Sequence, residues 1–331
     1  MPLRIETVPE PKVKPNDVLI KVKAVGLCGS DVHIYHGRTP VGKTPIILGH
    51  EVAGVVEKVG SAVADVQAGD RVCVDGIIFC RECRNCMAGR ENICENRRLY
   101  GIHEDGGFAE YIVVRSINCI KLPDNVPFEH GAILTDAVAT PFHSIRRVNI
   151  VPGETVVIYG VGGLGIHAVQ IASKLRGAKV IAVDVDQGKL NVAREVGATV
   201  IINAREEDPV KRVMDMTAGR GADVAIEAAG VMKSTKNALD SIRAGGRVVL
   251  QGLCAMPVSY DTRLLVRKEV SVLASYGYCK SDIATVVRLA SEGRLDLTRS
   301  VTHKFLLDEV NKGIEVLERN IDSPLRIVVM D

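Results

Sequence analysis

The second half of the chain alternates short apolar runs with amphipathic segments. Apolar runs at Thr155–Tyr159 and 180–183 flank a segment, 164–175, whose apolar residues recur with helical spacing. Further apolar runs predict strands over 199–202, 223–227, 247–250 and 270–274, with helices over 209–216 and 233–242. Strands that alternate with helices predict a doubly wound α/β fold with a parallel sheet.

The first 125 residues show a different pattern, in which short strand-like runs are separated by glycine and proline. Strands are predicted over 18–25, 51–59, 70–74 and 109–114, which is typical of a small barrel-like β domain. Thr140 as N-cap and Pro141 at the first helical position predict a helix that begins there and ends near Val148. Asp136 is then expected in the turn before that helix. The chain ends with a predicted helix, strand, helix and strand over 282–291, 301–305, 307–319 and 326–330.

A glycine-rich segment lies between the strand Thr155–Tyr159 and the helical segment. Glycines in this context allow a tight turn and let the backbone approach a pyrophosphate at the helix N-terminus. The next strand ends in Asp184, 19 residues after Gly165, where a carboxylate binds the adenosine ribose. Because Asp184 would repel a 2′-phosphate and no arginine follows before Arg194, NAD is favoured over NADP.

The predicted dinucleotide-binding residues include this segment and the end of a later strand. They are Gly160, Gly162, Gly163, Leu164, Gly165, Asp184, Lys189, Gly252 and Leu253. For Lys189 an ordinary exposed helix lysine is an equal alternative, and for Gly252 so is a glycine that merely ends a strand.

Composition limits the class of protein. The 331 residues carry a formal net charge of +2, which argues against nucleic-acid binding and against a polybasic membrane surface. No apolar run reaches about 18 residues, and the N-terminus lacks the apolar core of a signal peptide. We therefore expect a cytoplasmic protein, in which the nine cysteines are metal ligands or buried thiols.

Four of the cysteines fall in one short loop. Cys80, Cys83 and Cys86 are spaced by two residues each, and Cys94 follows. Four thiolates can close a tetrahedral zinc shell, so the spacing predicts a structural zinc site. Disulfides are the alternative in an oxidising compartment, and the spacing differs from that of ferredoxin iron–sulfur sites.

A second set of metal donors is scattered along the chain. Cys28 and His50 lie in predicted loops, and the carboxylate of Asp136 interrupts an apolar stretch and needs a partner. Three such donors with one open position suit a catalytic zinc. Each residue alone has a simpler interpretation, as a buried thiol, a hydrogen-bonded loop histidine or a helix-capping aspartate.

Five sequence elements together resemble the zinc-containing medium-chain alcohol dehydrogenases. They are CGSDVH at 28–33, GHEVAG at 49–54, the four-cysteine loop, GVGGLG at 160–165 and Asp184. The resemblance implies a GroES-like catalytic domain of residues 1–138 and 276–331 and a Rossmann NAD-binding domain of residues 139–275. It assigns Cys28 and His50 to the catalytic zinc and Glu51 as a neighbouring carboxylate. The third ligand of the family is usually cysteine or glutamate, and Asp136 matches a subset that uses aspartate. Residues 3–11 resemble the second strand of family members, so by the resemblance the chain is expected to begin about 15 residues late. Either the domain tolerates the loss of the first strand, or the start is misassigned or truncated.

The implied activity is oxidation of a primary, secondary or cyclic alcohol by NAD, with one catalytic and one structural zinc per chain. Ser30 is expected to accept the proton from the alcohol, and the resemblance assigns His33 to receive it through the nicotinamide ribose. The main alternative is a polyol, sugar or L-threonine dehydrogenase of the same zinc group. A zinc-free quinone reductase and a non-catalytic NAD-sensing regulator are the others.

Substrate and assembly are less defined by the sequence. Residues considered for the substrate pocket are Tyr35, Leu99, Tyr100 and His103. Dimers and tetramers both occur in the family, and residues 270–278 are the segment from which a sheet-edge contact between subunits is expected.

Overall fold

The structure is a computed structural model that describes residues 3–331. The chain forms two compact units, one of Met1–Ala139 with Tyr278–Asp331 and one of Thr140–Gly277. Within the described residues, no helix has both the length and the apolar character needed to cross a bilayer.

The first part of unit 1 is mostly strands. The strands are β1 Asp17–Leu27, β2 Glu51–Val59, β3 Arg71–Val74, β4 Ile77–Ile78, β5 Arg98–Leu99, β6 Tyr111–Arg115 and β7 Cys119–Lys121. The helices are α1 Gly29–Tyr35, α2 Arg84–Met87 and α3 Phe128–Ile133, with 3-10 turns at Glu91–Ile93 and Ser116–Asn118.

Unit 2 alternates strands and helices. After a π-helical segment Leu134–Val138, its elements are α4 Ala139–Val148, β8 Thr155–Tyr159, α5 Gly165–Gln170 with a π-helical extension Ile171–Leu175, β9 Lys179–Asp184, α6 Gln187–Val196, β10 Val200–Asn203, α7 Pro209–Met216, β11 Ala222–Glu227, α8 Met232–Asp240, β12 Ile242–Leu250, α9 Thr262–Lys268 and β13 Ser271–Ala274. Helix α9 was not predicted; none of its residues is buried, so it lacks the apolar stripe that marks a packed helix.

The end of the chain returns to unit 1. Its elements are α10 Lys280–Ser291, β14 Val301–Leu306, a 3-10 turn Leu307–Glu309, α11 Val310–Arg319 and β15 Arg326–Met330. Strand β15 pairs antiparallel with β1, aligning Gly26 with Val328. The two ends of the chain therefore share one sheet.

The sheets match the predicted fold class. In unit 1 a seven-stranded sheet has the order β14-β15-β1-β2-β3-β7, with β6 also paired to β1, around a valine- and isoleucine-rich core. In unit 2 a six-stranded sheet has the order β10-β9-β8-β11-β12-β13, and its strand pairs are parallel. The prediction of a barrel-like β domain with a doubly wound parallel sheet is confirmed.

The predicted helix start at Thr140 is wrong. The chain is already helical from Phe128, and α4 begins at Ala139, so Pro141 lies inside the helix. Proline is tolerated there because the carbonyl four residues earlier, that of Ala137, belongs to the π-helical segment, where the α-helical hydrogen-bond pattern is already interrupted. Asp136 accordingly lies within that π-helical segment and not in a turn.

Candidate metal centres and dinucleotide site

Three segments of unit 1 bring metal-binding side chains together. Strand β1 ends just before Cys28, and its antiparallel pairing with β2 aligns Gly26 with Glu51, which places His50 beside Cys28. The π-helical segment adds Asp136. The ligand atoms of Cys28, His50, Glu51 and Asp136 all lie within 4.8 Å of one another.

The distances within this cluster fit a shared ion. The Cys28 Sγ lies 3.8 Å from the Asp136 Oδ2, and the His50 Nε2 lies 3.8 Å from the same oxygen. Thiolate, imidazole and carboxylate are the donors that zinc prefers, and ligands about 2.0–2.3 Å from one ion are separated by distances of this order. The structure therefore brings together the three donors that the sequence predicted.

Asp31 lies behind the histidine of this cluster. It is fully buried in α1, and its Oδ1 lies 3.5 Å from the His50 Nδ1 while its Oδ2 accepts from the Cys28 N–H at 2.9 Å. Burial alone would lower the pKa of His50, but the carboxylates of Asp31 and Asp136 raise it well above its ordinary value. A carboxylate behind one ring nitrogen leaves the other, Nε2, directed at the metal position.

Glu51 is bound to a residue that the sequence analysis did not identify. Both of its oxygens accept from the Arg326 guanidinium, and the two side chains are 0% and 4% exposed. Burial raises the pKa of Glu51 to about 7, and the positive charge of Arg326 opposes that rise. Burial would lower the pKa of Arg326, but Glu51 raises it above its usual value.

The two residues predicted to transfer the proton both lie in α1. The Ser30 Oγ is 3.4 Å from the His50 Nε2, so the hydroxyl lies beside the metal donors. His33 is exposed in the last turn of the same helix. Residues three apart in a helix lie on the same face, so α1 leads from the cluster towards solvent.

The four cysteines of the predicted structural site also come together. Cys80, Cys83, Cys86 and Cys94 have all their sulfurs within 4.8 Å of one another. Backbone N–H groups of Cys86 and Glu95 lower the pKa of Cys83 to about 6, whereas burial raises the pKa of Cys86 to about 12. A cation is therefore needed for all four to be thiolates at once.

The glycine-rich segment joins β8 to α5, as predicted. Gly160 has φ +87°, and a Cβ there would meet Ala229 at 2.7 Å. A Cβ on Gly165 would come within 1.8 Å of the Gly160 carbonyl oxygen. A Cβ on Gly162 would meet no protein atom within 4 Å, so this position faces open space. Gly163 and Leu164 complete the turn before α5.

Asp184 ends β9 beside that turn. Its carboxylate accepts from the backbone N–H of Val161 at 2.7 Å, of Val185 at 2.7 Å and of Asp186 at 3.0 Å. A carboxylate has about four acceptor positions, so one remains for a ribose hydroxyl. The N–H of Lys189 donates to Asp186, the N-cap of α6, which places Lys189 in the first turn of that helix.

Gly252 and Leu253 follow β12 at the carboxyl edge of the sheet. Gly252 donates its N–H to the Glu227 carbonyl at 3.0 Å, and the Leu253 side chain is 77% exposed. This edge is where open α/β sheets bind ligands.

The sequence analysis missed two residues that lie against the metal cluster, Asp31 and Arg326. Asp31 had a local signal, because it stands three residues after Cys28, where a capping side chain reaches back. Arg326 had none, since 275 residues separate it from Glu51. Tyr100, considered for the substrate pocket, instead lies in the core, where its hydroxyl accepts from the Arg115 N–H. Of the other three candidates, Tyr35 packs against an apolar cluster that includes Leu27 and Ile314, and the His103 Nδ1 accepts from the Leu99 N–H.

Comparisons with known proteins agree with this geometry. Residues 14–124 match the model of the alcohol dehydrogenase GroES-like domain, and residues 163–292 match that of the zinc-binding dehydrogenases. An L-threonine 3-dehydrogenase of Chelativorans sp. is 34% identical over 95% of this chain and 92% of its own. Sorbitol dehydrogenase of Bacillus subtilis is 34% identical over 99% of this chain and 94% of its own. The structure of a zinc-binding dehydrogenase of Sinorhizobium meliloti 1021 bound to NADP superposes with a TM-score of 0.89 and 33% identity, over 98% of this chain and 94% of that one.

Proposed function

The chain belongs to the zinc-dependent medium-chain alcohol dehydrogenase family, and on that premise we propose how its own residues carry out alcohol oxidation. It is an oxidoreductase that uses zinc and a nicotinamide dinucleotide. The observation that carries the proposal is the convergence of Cys28, His50 and Asp136, three zinc donors from three separate segments, within 4.8 Å.

We assign these three residues as the ligands of the catalytic zinc. A zinc ion at this position supplies a Lewis acid that makes the hydroxyl of a bound alcohol more acidic. Asp31 holds His50 in the orientation needed for binding. Because both oxygens of Glu51 are bound to Arg326, we assign Glu51 as a neighbouring carboxylate rather than a permanent ligand.

The proton path begins at Ser30. Its hydroxyl lies beside the metal donors and can accept the alcohol proton while passing its own proton on. His33, which is exposed on the same helix, is the proposed next carrier. A bound nicotinamide dinucleotide would supply the acceptor for the hydride of the carbinol carbon, which is the cofactor's own chemistry.

We propose NAD as the dinucleotide. The support is the charge of Asp184 at the end of β9, which disfavours the additional phosphate of NADP. Because the S. meliloti relative was solved with NADP bound, the preference of this chain for NAD or NADP should be measured directly. The glycine-rich turn 160–165 is assigned to the pyrophosphate, Lys189 to the ribose or a phosphate, and Gly252 and Leu253 to the nicotinamide side.

Cys80, Cys83, Cys86 and Cys94 are the proposed ligands of a structural zinc. Four thiolates leave no position for a substrate, so this site contributes to folding and not to chemistry. We further propose that residues 1–138 with 276–331 act as the catalytic domain and residues 139–275 as the NAD-binding domain.

The substrate class is an alcohol, and two relatives favour a specific second candidate. Their names, L-threonine 3-dehydrogenase and sorbitol dehydrogenase, indicate alcohols that carry a neighbouring amino or hydroxyl group. We therefore propose that the substrate is a secondary alcohol. A simple or cyclic alcohol is the first candidate, and a polyol or L-threonine is the alternative.

The experiment is a panel of primary, secondary, cyclic and polyol alcohols together with L-threonine. NADH formation is followed by absorbance, with NADP in a parallel series. We expect NAD-dependent oxidation that disappears in Cys28→Ser while the four-cysteine site keeps its zinc. A zinc-loaded, folded protein that binds NADH but oxidises no member of the panel would support the non-catalytic alternative.

We also propose a homodimer or homotetramer formed through β13. This strand is the last in the six-stranded sheet, and Val272 is 43% exposed on it. An exposed edge strand invites pairing with a second copy. Val272→Lys should shift the mass measured by light scattering towards the monomer, and an unchanged mass would place the contact elsewhere.

A cytoplasmic location is consistent with nine cysteines, all within the described residues, that form no disulfide.

A further inference from the structure

A buried carboxylate lies at the carboxyl end of β11. Glu227, the last residue of that strand, is 0% exposed. Its Oε1 accepts from the N–H of Ala229 at 3.0 Å, from the N–H of Gly230 at 2.8 Å and from the hydroxyl of Ser234 at 2.6 Å. One oxygen therefore holds the chain turn 228–230 and joins it to α8.

The other oxygen of Glu227 faces the end of β12. Among the described residues, the buried Oε2 has no hydrogen-bond partner. A Cβ on Gly252 would lie 2.7 Å from this oxygen and 2.3 Å from the Gly230 nitrogen. The turn after β11 and the end of β12 are thus packed with no space for a side chain between them.

The same turn also touches the glycine-rich segment. A Cβ on Gly160 would lie 2.7 Å from the Ala229 Cβ and 2.8 Å from its nitrogen. On the other side, a Cβ on Gly230 would lie 2.8 Å from the Leu253 carbonyl oxygen. The turn 228–230 therefore packs between the residues that follow β8 and those that follow β12.

We propose that Glu227 is a positioning residue for the nicotinamide half of the dinucleotide. Ligands of open parallel sheets lie outside the carboxyl ends of the strands, and the turn 228–230 stands between the pyrophosphate-binding glycines and Gly252. Glu227 itself is buried, so it acts through the backbone of that turn and not by contact with the ligand. The inference rests on the proposed dinucleotide site, and it adds a residue to which no binding role was assigned there.

The test compares a ligand that contains nicotinamide with one that lacks it. Dissociation constants of NADH and AMP are measured by calorimetry for the wild type and for Glu227→Ala. Because the substitution leaves three donors without their acceptor, we expect NADH to bind about tenfold more weakly, from about 1.4 kcal/mol. The affinity for AMP, which lacks the nicotinamide half, should change by less than about twofold.

Two further variants separate positioning from stability. Glu227→Gln keeps an acceptor oxygen in place of Oε1 and should restore NADH binding to within about twofold of wild type. Asp223→Asn is the matched control near the opposite end of β11, where the carboxylate accepts from the Thr155 N–H at 2.8 Å and from Arg243 at 2.6 Å. It should lower the melting temperature and leave the ratio of NADH to AMP affinity unchanged.

The proposal is overturned if Glu227→Ala binds NADH as the wild type does, or if it loses NADH and AMP affinity equally. Should that variant fail to fold, Ser234→Ala removes one of the three donors, and unchanged NADH affinity in it overturns the proposal as well. The readouts that decide the proposal are binding constants. A protein that oxidises no alcohol contradicts the proposed activity but not this inference, which is decided by the dissociation constants of NADH and AMP.

Discussion

The ion pair between Glu51 and Arg326 is buried, so the loss of either partner should greatly lower the free energy of unfolding. Arg326→Met leaves the Glu51 carboxylate at 0% exposure without its paired guanidinium. The carboxylate is closely packed against Gly26, where a Cβ would lie 2.1 Å from the Glu51 Oε2. Removing one partner of such a pair costs about 3–5 kcal/mol.

That cost is large enough to see in thermal unfolding. At about 2–4 °C per kcal/mol for a unit of this size, the melting temperature of Arg326→Met should fall by roughly 6–20 °C. The matched control is Arg319→Met, which breaks the exposed pair with Glu315 in α11, whose side chains are 70% and 50% exposed. That change should cost less than about 1 kcal/mol.

The loss of stability in Arg326→Met should depend on pH. Burial raises the pKa of Glu51 to about 7, and loss of the opposing Arg326 raises it further. A carboxyl group whose pKa is raised by folding contributes stability below its unfolded pKa, near 4.3, and loses that contribution as the pH rises through the folded value. The deficit of Arg326→Met relative to wild type should therefore be largest above pH 7 and shrink towards pH 5.

The assay is differential scanning calorimetry of the zinc-loaded protein between pH 5 and pH 8, with Glu51→Leu/Arg326→Met as a third variant. Replacing both partners by apolar groups should recover part of the loss. The reasoning is refuted if Arg326→Met melts within about 2 °C of wild type at pH 8, or if its deficit grows as the pH falls.

Three other predictions concern the candidate sites. Asp136→Ala and Cys94→Ser should each lose one of two zinc ions per chain by metal analysis, and a protein that keeps both in the first variant has its third ligand elsewhere. Ser30→Ala should retain both zinc ions while its turnover falls by about 10²-fold or more, measured as initial rates of NADH formation; unchanged turnover removes Ser30 from the proton path. Asp184→Ala should raise the ratio of kcat/KM for NADP to that for NAD by removing the repulsion, and a constant ratio would show that this carboxylate does not select the dinucleotide.

How far the sequence could predict the structure depended on how local each signal was. The glycine-rich turn and the four cysteines each lie within one short segment, and their residues meet as expected. The helix start at Thr140 was misjudged, because a threonine–proline pair normally begins a helix. Here the π-helical segment changes the hydrogen bonding just before Pro141.

Partners far apart in the sequence were beyond this kind of prediction. Arg326 lies in an ordinary apolar strand, β15, and reaches Glu51 only because β15 pairs with β1 and β1 pairs with β2. Glu227 likewise resembles any charged residue at a strand end, and its burial depends on the turn that follows. Topology, not composition, gives these two carboxylates their environment.

Arg326 also explains how the catalytic cluster can hold a further carboxylate without losing its chemistry. On the proposed assignment, a zinc ion bound by Cys28 and Asp136 would have its charge balanced by two anionic donors, and His50 would add none. If Glu51 were ionised without a partner, it would make the surroundings negative and would weaken the metal's pull on an alcohol hydroxyl. The Arg326 guanidinium compensates that charge, and both side chains are buried. The same pair that stabilises the unit therefore keeps the metal position acidic enough for the proposed oxidation.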